Sequence, residues 1–334
     1  MERHFPVQDS TLSPEALAAS LASGYALPAG TRCSFYKKGI CDTYRVIAGE
    51  RILYLKVYRS RRRSMTEVSE EVRLLLHLNS DGVPVSVPLA RADGGYVNEL
   101  DAPEGKRYSV LFSAAEGELD DRGSRDRIRA FGETVGLMHR SCDSFSLPYR
   151  RPELDIEHLI DDNMRAIAGI MEHRPADLDL LRGIAEECRQ LPLLARRTSP
   201  EFGICHGDLH GGDVAYDSSD SPTLFDFDSS GCGWRALDIG VFPASMDWMD
   251  LSDEKERVRR DRLDTFLDGY TRIRDLSEDE LIAIRRTPPI RHIFLMGFVL
   301  RYTALWRGDH WANENFIDWH MNWFRGWHGR SGTL

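Results

Sequence analysis

Two neighbouring stretches concentrate the side chains able to do chemistry: ICHGDLHGGDVAYD, residues 204–217, and PTLFDFDSSGCGWRALD, residues 222–238. Asp208, Asp213, Asp217, Asp226 and Asp228, with His206 and His210, crowd around short apolar runs and around Gly207, Gly211 and Gly212. A Gly-rich turn between Phe202–Cys205 and Val214–Tyr216 would present Asp208 and Asp213 from one loop. Leu224, Phe225 and Phe227 read as a short strand carrying Asp226 and Asp228, which a regular pleat points to opposite faces. Such carboxylates suit a polyphosphate. One accepts or orients a hydroxyl proton, and two hold Mg²⁺, a hard cation that takes few carboxylates together with phosphate oxygens. A single Asp beside Gly is explained equally well by turn chemistry, because Asp caps helices and tolerates bends. The set of them is not.

Other elements must position this group. YRVIAGERILYLKVYR, residues 44–59, offers two β-rich runs joined at Ala48, Gly49 and Glu50. In the second run Leu53, Leu55 and Val57 face one way and Ile52, Tyr54, Lys56 and Tyr58 the other, which sets Lys56 mid-strand among apolar neighbours. SMTEVSEEVRLLLHL follows: Ser64 with Glu67 forms a capping box, and Val68, Val72, Leu75 and Leu76 make a helical stripe. Glu71 flanks that stripe and Glu70 points nearly opposite. A carboxylate flanking a buried face needs a cation, and Lys56 is the candidate. GVPVSVPL then leads into a strand pair around Tyr96 and Tyr108–Phe112. Beyond SAAEGELDDRGS, residues 113–124, long helical patterns dominate, and the tail from Ser252 to Trp327 is helical and rich in Trp.

At 334 residues the chain is comfortable for two lobes. A net charge of -10 argues against an electrostatic grip on nucleic acid or on a membrane surface, since both require a basic face. Six cysteines are scattered without the close pairing of a zinc site, and the chain is too long to need a disulfide framework, so reduced thiols in a cytoplasmic setting are expected. MERHFPVQDS lacks the apolar core of a signal peptide, and the run Ile293–Leu300 falls far short of the ~20 residues of a membrane span.

HGDLHGGDV followed by LFDFD, with LKVY upstream and WRALD downstream, resembles the aminoglycoside phosphotransferase and choline kinase-like superfamily, which shares the protein kinase fold. The tail RHIFLMGFVLRYTALWRGDHW, residues 291–311, is similar to the C-terminal helices of its bacterial homoserine, hydroxylysine and stress-response kinase groups. The resemblance implies an α+β, bilobal protein kinase-like fold: a small β-rich N-lobe over 1–111, a hinge over 112–117, and a larger, mostly helical C-lobe over 118–334. It implies ATP and Mg²⁺ as cofactors. Lys56 becomes the ligand of the α and β phosphates with Glu71 as its partner, and Asp208 the catalytic base. Asp226 is the principal metal ligand and Asp213 the second. His206, Asp228 and Asp238 support these loops. The backbone of the hinge, with Phe112 and Ala114, receives adenine, and Lys38 and Gly39 lie in the phosphate-covering turn.

Two departures stand out. Family members usually carry Asn where this chain has Asp213, which adds a negative charge near the phosphates. The turn YKKGICDTYRV holds only Gly39, so no Gly-rich fingerprint is present. The expected activity is transfer of the γ-phosphoryl group to a hydroxyl of a small molecule, such as an aminoglycoside-like antibiotic, an amino alcohol or a hydroxy amino acid. Acidic side chains of the second lobe, Asp120, Asp121, Asp247 and Asp250, are compatible with a cationic acceptor. The alternatives are a nucleotide-binding pseudokinase, a serine/threonine protein kinase of the stress-response type and, from GDLHG alone, a metallophosphoesterase. The last needs GDxxDRG and GNH-type motifs that do not follow Gly211.

Overall fold

The structure, a computed structural model, describes residues 5–119, 123–146, 148–246, 249–303 and 312–330. Asp120, Asp121 and Asp247, and residues 304–311 of the tail motif, lie outside the described residues. The chain forms two compact units, Met1–Glu116 with Thr223–Phe225 and Gly117–Pro222 with Asp226–Leu334.

The first unit begins with α1 (Pro14–Gly24), whose N-cap Ser13 accepts from the Ala16 amide. Strands β1 (Arg32–Lys38), β2 (Asp42–Ala48) and β3 (Arg51–Val57) follow, then α2 (Met65–Ser80), β4 (Val97–Ala102) and β5 (Gly105–Ser113). They make one antiparallel sheet in the order β1-β2-β3-β5-β4. Gly49, at φ 64°, closes the β2–β3 hairpin at the turn the sequence marks. The register aligns Tyr44, Leu55 and Leu111 on one face, where Leu17, Leu21 and Tyr25 of α1 complete a core with Val46, Leu53 and Val57. Each such fully buried side chain contributes about 1.5–3 kcal/mol. The opposite row places Lys56 beside Thr43 and Val110. The capping box of Ser64 and Glu67 is present, and it fixes where α2 starts and therefore which residues of α2 turn inward.

The second unit holds β6 (Glu118–Leu119), α3 (Arg125–Cys142), α4 (Asp162–Ile170), α5 (Pro175–Arg189), β7 (Phe202–Cys205), β8 (Val214–Tyr216), β9 (Pro222–Leu224), β10 (Gly231–Trp234), α6 (Arg235–Ala244), α7 (Asp253–Tyr270), α8 (Glu278–Phe298) and α9 (Glu314–Arg330). Thr223 and Leu224 of β9, with Phe225 after it, belong to the first unit, where the Leu224 amide donates to Pro84 O and the Ser86 amide to Leu224 O. Strand β7 pairs with β10, and β6 with β8. Helices α3 and α7 cross so closely that a Cβ on Gly269 would sit 1.9 Å from Arg129 O, and one on Gly132 would sit 2.0 Å from Phe266 O. Phe131, Phe242 and Phe266 fill the space beside that crossing, with ring centroids 5.0–5.3 Å apart. Among the described residues no helix is long and apolar enough to cross a membrane.

Candidate active site

In the first unit, Lys56 Nζ lies 3.3 Å from Glu71 Oε1, with Lys56 9% and Glu71 1% exposed. A strand and a helix fifteen residues apart thus deliver a buried ion pair, as the spacing of LKVY and the α2 stripe predicts. Glu70, expected to point away, is buried too, because Arg73 one turn later closes over it with Nε 3.2 Å from Oε2. Lys38 is ion-paired with Asp9 at 2.9 Å, and Gly39 O accepts from Arg59 Nη2 at 2.8 Å. Arg59 also bonds Asp42, which Arg107 holds at 2.8 Å. The tip of the β1–β2 hairpin is thereby anchored by charge rather than freed by glycines. Phe112 and Ser113 lie in β5, with Phe112 opposite Tyr54 and the Ser113 amide donating to Val87 O.

In the second unit the HGDLHGGD loop is held from behind. Asp238, at the start of α6, accepts the His206 amide at Oδ2 (2.7 Å) and the Gly207 amide at Oδ1 (2.8 Å). Its Oδ2 also meets His139 Nε2 at 3.1 Å, and His139 Nδ1 meets the Tyr270 hydroxyl at 2.9 Å. Burial pushes the Asp238 carboxyl up, and His139, His206 and the loop amides outweigh it, leaving it below its ordinary value. His139, fully buried, is pushed down to about 4 by desolvation. Gly207, at φ 83°, turns the chain where a Cβ would lie 2.2 Å from Ser229 O, so only glycine serves.

That turn presents Asp208, half-buried, at the far side. Arg291 of α8 donates to its Oδ1. Burial raises the Asp208 carboxyl, and Arg291, His210 and His206 together bring it below the usual carboxylate range, so it is ionised and able to accept a proton. His210 Nδ1 accepts the Gly212 amide at 2.9 Å, which puts the ring proton on Nε2. Nε2 lies 3.4 Å from Asp213 Oδ2 and 4.0 Å from Asp208 Oδ2. Asp208, His210 and Asp213 each offer a ligand atom within 4.8 Å of the others.

The LFDFD segment departs from the strand expected for it. Strand β9 ends at Leu224, Asp226 takes the left-handed conformation (φ 64°, ψ 52°), and Phe227–Ser229 form a 3₁₀ turn. Asp tolerates that conformation better than most residues. Phe227 then inserts into the core, its ring 4.4 Å from His206, and Asp228 is buried. Arg151 secures the loop by donating to the carbonyls of Phe227, Asp228 and Ser230. Asp226 and Asp228 are therefore sorted by a turn, not by a pleat. Asp226 is close enough to His210 to act on it electrostatically. Sequence reasoning missed Arg151, His139, His210 as a neighbour of both loop carboxylates, and Arg291. Only His210 carried a signal, in its place between Asp208 and Asp213. Asp250 accepts the Ser252 amide at the exposed entry to α7, a capping role.

The sheet-bearing first unit and helical second unit make an α+β protein of the kinase-like fold. A family model described as "Phosphotransferase enzyme family" matches residues 35–276, and the chain belongs to that family. An uncharacterised protein of Synechocystis is 34% identical over 292 residues, covering 85% of this chain and 78% of the relative. Amicoumacin kinase of Bacillus subtilis is 26% identical over 255 residues, covering 73% of each. Among solved structures, an amicoumacin kinase in complex with AMP-PNP, Ca²⁺ and Ami superposes with a TM-score of 0.76 at 19% identity over 94% of both chains. A microcompartment-associated aminopropanol kinase superposes with a TM-score of 0.75 at 20% identity, over 93% of this chain and 94% of the other. The protein is a phosphotransferase.

Proposed function

We propose that the protein transfers the γ-phosphoryl group of ATP to a hydroxyl of a small molecule in the presence of Mg²⁺. The observation that carries this is the braced loop: Asp238 fixes His206 and Gly207, so that Asp208 is offered, ionised, beside His210 and Asp213. Asp208 takes the proton of the acceptor hydroxyl. Lys56, held by Glu71, takes the α and β phosphates, and Lys38 and Gly39 cover them. Phe112 and Ala114 flank the adenine. His206, Asp228 and Asp238 keep the two loops in shape.

The donors fit a divalent cation of the hard kind. Asp213, whose carboxylate lies within 4.8 Å of ligand atoms of Asp208 and His210, keeps an oxygen donor where the family usually has Asn, and Asp226 would add a second carboxylate, the ligand type Mg²⁺ accepts alongside phosphate oxygens. When bound, the cation neutralises charge on the phosphates.

A small acceptor is supported by the short path after the metal loop. Residues 231–234 pair with β7 and α6 begins at Arg235, which leaves no room for an activation segment between Asp228 and Asp238. The relatives that act on amicoumacin and on aminopropanol support an acceptor of the antibiotic or amino-alcohol size. The test is mass spectrometry of a pooled acceptor library incubated with Mg-ATP, beside an Asp208→Ala control. The expected result is one small molecule gaining a phosphoryl group with the unmodified protein alone. Hydrolysis of phosphate esters in the pool, or ATP binding with no transfer to any member, would count against it.

A further inference from the structure

The end of α6 and the flanks of α7, α8 and α9 enclose a cavity of about 640 Å³ inside the second unit. Pockets that hold small molecules typically measure about 300–1,000 Å³. None of the lining side chains belongs to the loops that carry Asp208, Asp213 and Asp226. The wall is apolar, with Ala244, Leu263, Ile284, Trp323 and Trp327 all buried. The two indoles lie nearly parallel with centroids 5.3 Å apart, and His292 stacks on Trp323 at 3.4 Å, so packing holds these rings in place.

Two polar features of the lining point to a guest. Trp323 is 4% exposed, and its indole N–H has no acceptor among the described residues. A buried indole N–H ordinarily finds one, as Trp234 does by donating to Arg196 O at 2.8 Å, because a buried donor left unmet is expensive. The second feature is charge. Arg260, Arg285 and Arg286 line the cavity and make no ion pair or hydrogen bond among the described residues; the first two are exposed and the third is half-buried. Of the acids on the lining, Glu256 is taken by Arg259 at 3.0 Å, which leaves Asp264 against three arginines. In a chain of net charge -10 that is a local reversal of sign. One exposed arginine without a partner is ordinary, but three around an apolar cavity with an unmet donor in its wall are complementary to an anion with an apolar body.

We propose that this cavity binds an amphipathic organic acid, and that it is a site separate from the phosphoryl-transfer loops. The apolar body lies against Leu263, Ile284 and the Trp rings. The acid group is drawn to Arg260, Arg285 and Arg286, and a carbonyl or hydroxyl oxygen within the body accepts from the Trp323 indole. A cationic or purely hydrocarbon guest would leave one or both of these features unmet.

The experiment uses the full chain without nucleotide, so its outcome does not depend on the phosphoryl-transfer reading. Isothermal titration measures N-octanoylglycine, its primary amide, and undecanoate, an acid of similar length that lacks the inner oxygen. The proteins are the unmodified chain, the double variant Arg285→Gln with Arg286→Gln, and Trp323→Phe. The double variant changes two side chains that bond nothing in the fold, so its melting curve should match the parent's and any change in binding is read on a folded protein. N-octanoylglycine should bind at one site, about 10-fold or more tighter than its amide. The double variant should weaken the acid about 10- to 100-fold and leave the amide unchanged, as loss of charge-assisted hydrogen bonds would. Trp323→Phe should weaken N-octanoylglycine about 2- to 10-fold and leave undecanoate unchanged. Equal affinity for acid and amide, an acid affinity indifferent to the double variant, or no binding at millimolar probe overturns the proposal. Sedimentation that shows a dimer unaffected by the probe, with no probe bound, assigns the cavity to a second copy of the chain and overturns it as well.

Discussion

Replacing Asp238 by Asn should damage both the stability of the second unit and the placement of Asp208. The carboxylate accepts three hydrogen bonds, from the His206 and Gly207 amides and from His139 Nε2, and it is 4% exposed. An amide of the same shape keeps one oxygen and presents an NH₂ where a second acceptor is needed, so at least one buried N–H is left facing a donor. Hydrogen bonds to a charged group are each worth about 1.5–3 kcal/mol, and breaking a buried charged constellation typically costs about 3–5 kcal/mol. For a unit of this size that corresponds to a fall of roughly 6–20 °C in melting temperature. Turnover should fall as well, by as much as the ~10²- to 10⁴-fold that a well-placed general base contributes, because the two amides released are those that aim Asp208. The assay is thermal unfolding followed by circular dichroism, beside kcat with the acceptor that the library assay yields. A variant melting within a degree or two of the parent with unchanged kcat would refute the bracing role. A variant that loses stability but keeps kcat at a permissive temperature would show that Asp238 holds the fold without aiming the base.

Three further outcomes are expected. Lys56→Met leaves Glu71 buried without its cation, so it should destabilise the first unit and depress kcat/KM for ATP; Lys56→Met with Glu71→Gln should regain stability and not ATP use, as judged by melting and steady-state kinetics. His139 has its pKa lowered in the folded state, so its contribution to stability is present above about 6.5 and is lost as the pH falls towards about 4, some 3 kcal/mol in all. Urea midpoints between pH 7 and 4.5 should drop more steeply for the parent than for His139→Gln; His320, pushed to about 4 by its own burial, contributes the same slope to both. Gly269→Ala would stabilise an isolated helix by about 1 kcal/mol, but here the added Cβ falls on Arg129 O, so a loss of about 1–3 kcal/mol is expected in denaturant unfolding, and a gain would contradict the α3–α7 packing.

What the sequence determined by itself was local or carried by contiguous motif. The Ser64–Glu67 cap, the turn at Gly49 and the alternation around Lys56 depend on residues a few positions apart, and backbone geometry decides such patterns before any tertiary contact forms. The pairing of Lys56 with Glu71 followed because a strand face and a helix face were each readable and only one cation and one acid were suitably placed. HGDLHGGDV and LFDFD identified the family, since phosphoryl transfer concentrates its carboxylates in short loops. The tertiary structure alone decided the rest. Asp226 turns left-handed because Phe227 has a core site beside His206 to fill, a demand no alternation pattern contains. The Lys38 turn is tied down by Asp9 and Arg59, whose partners come together only when the sheet forms. His139 lies 99 residues from Asp238, and Arg291 lies 83 from Asp208. In the unfolded chain these charges are solvated and indifferent to one another; burial removes the water, and only then does each carboxylate select the one cationic or donor side chain within reach.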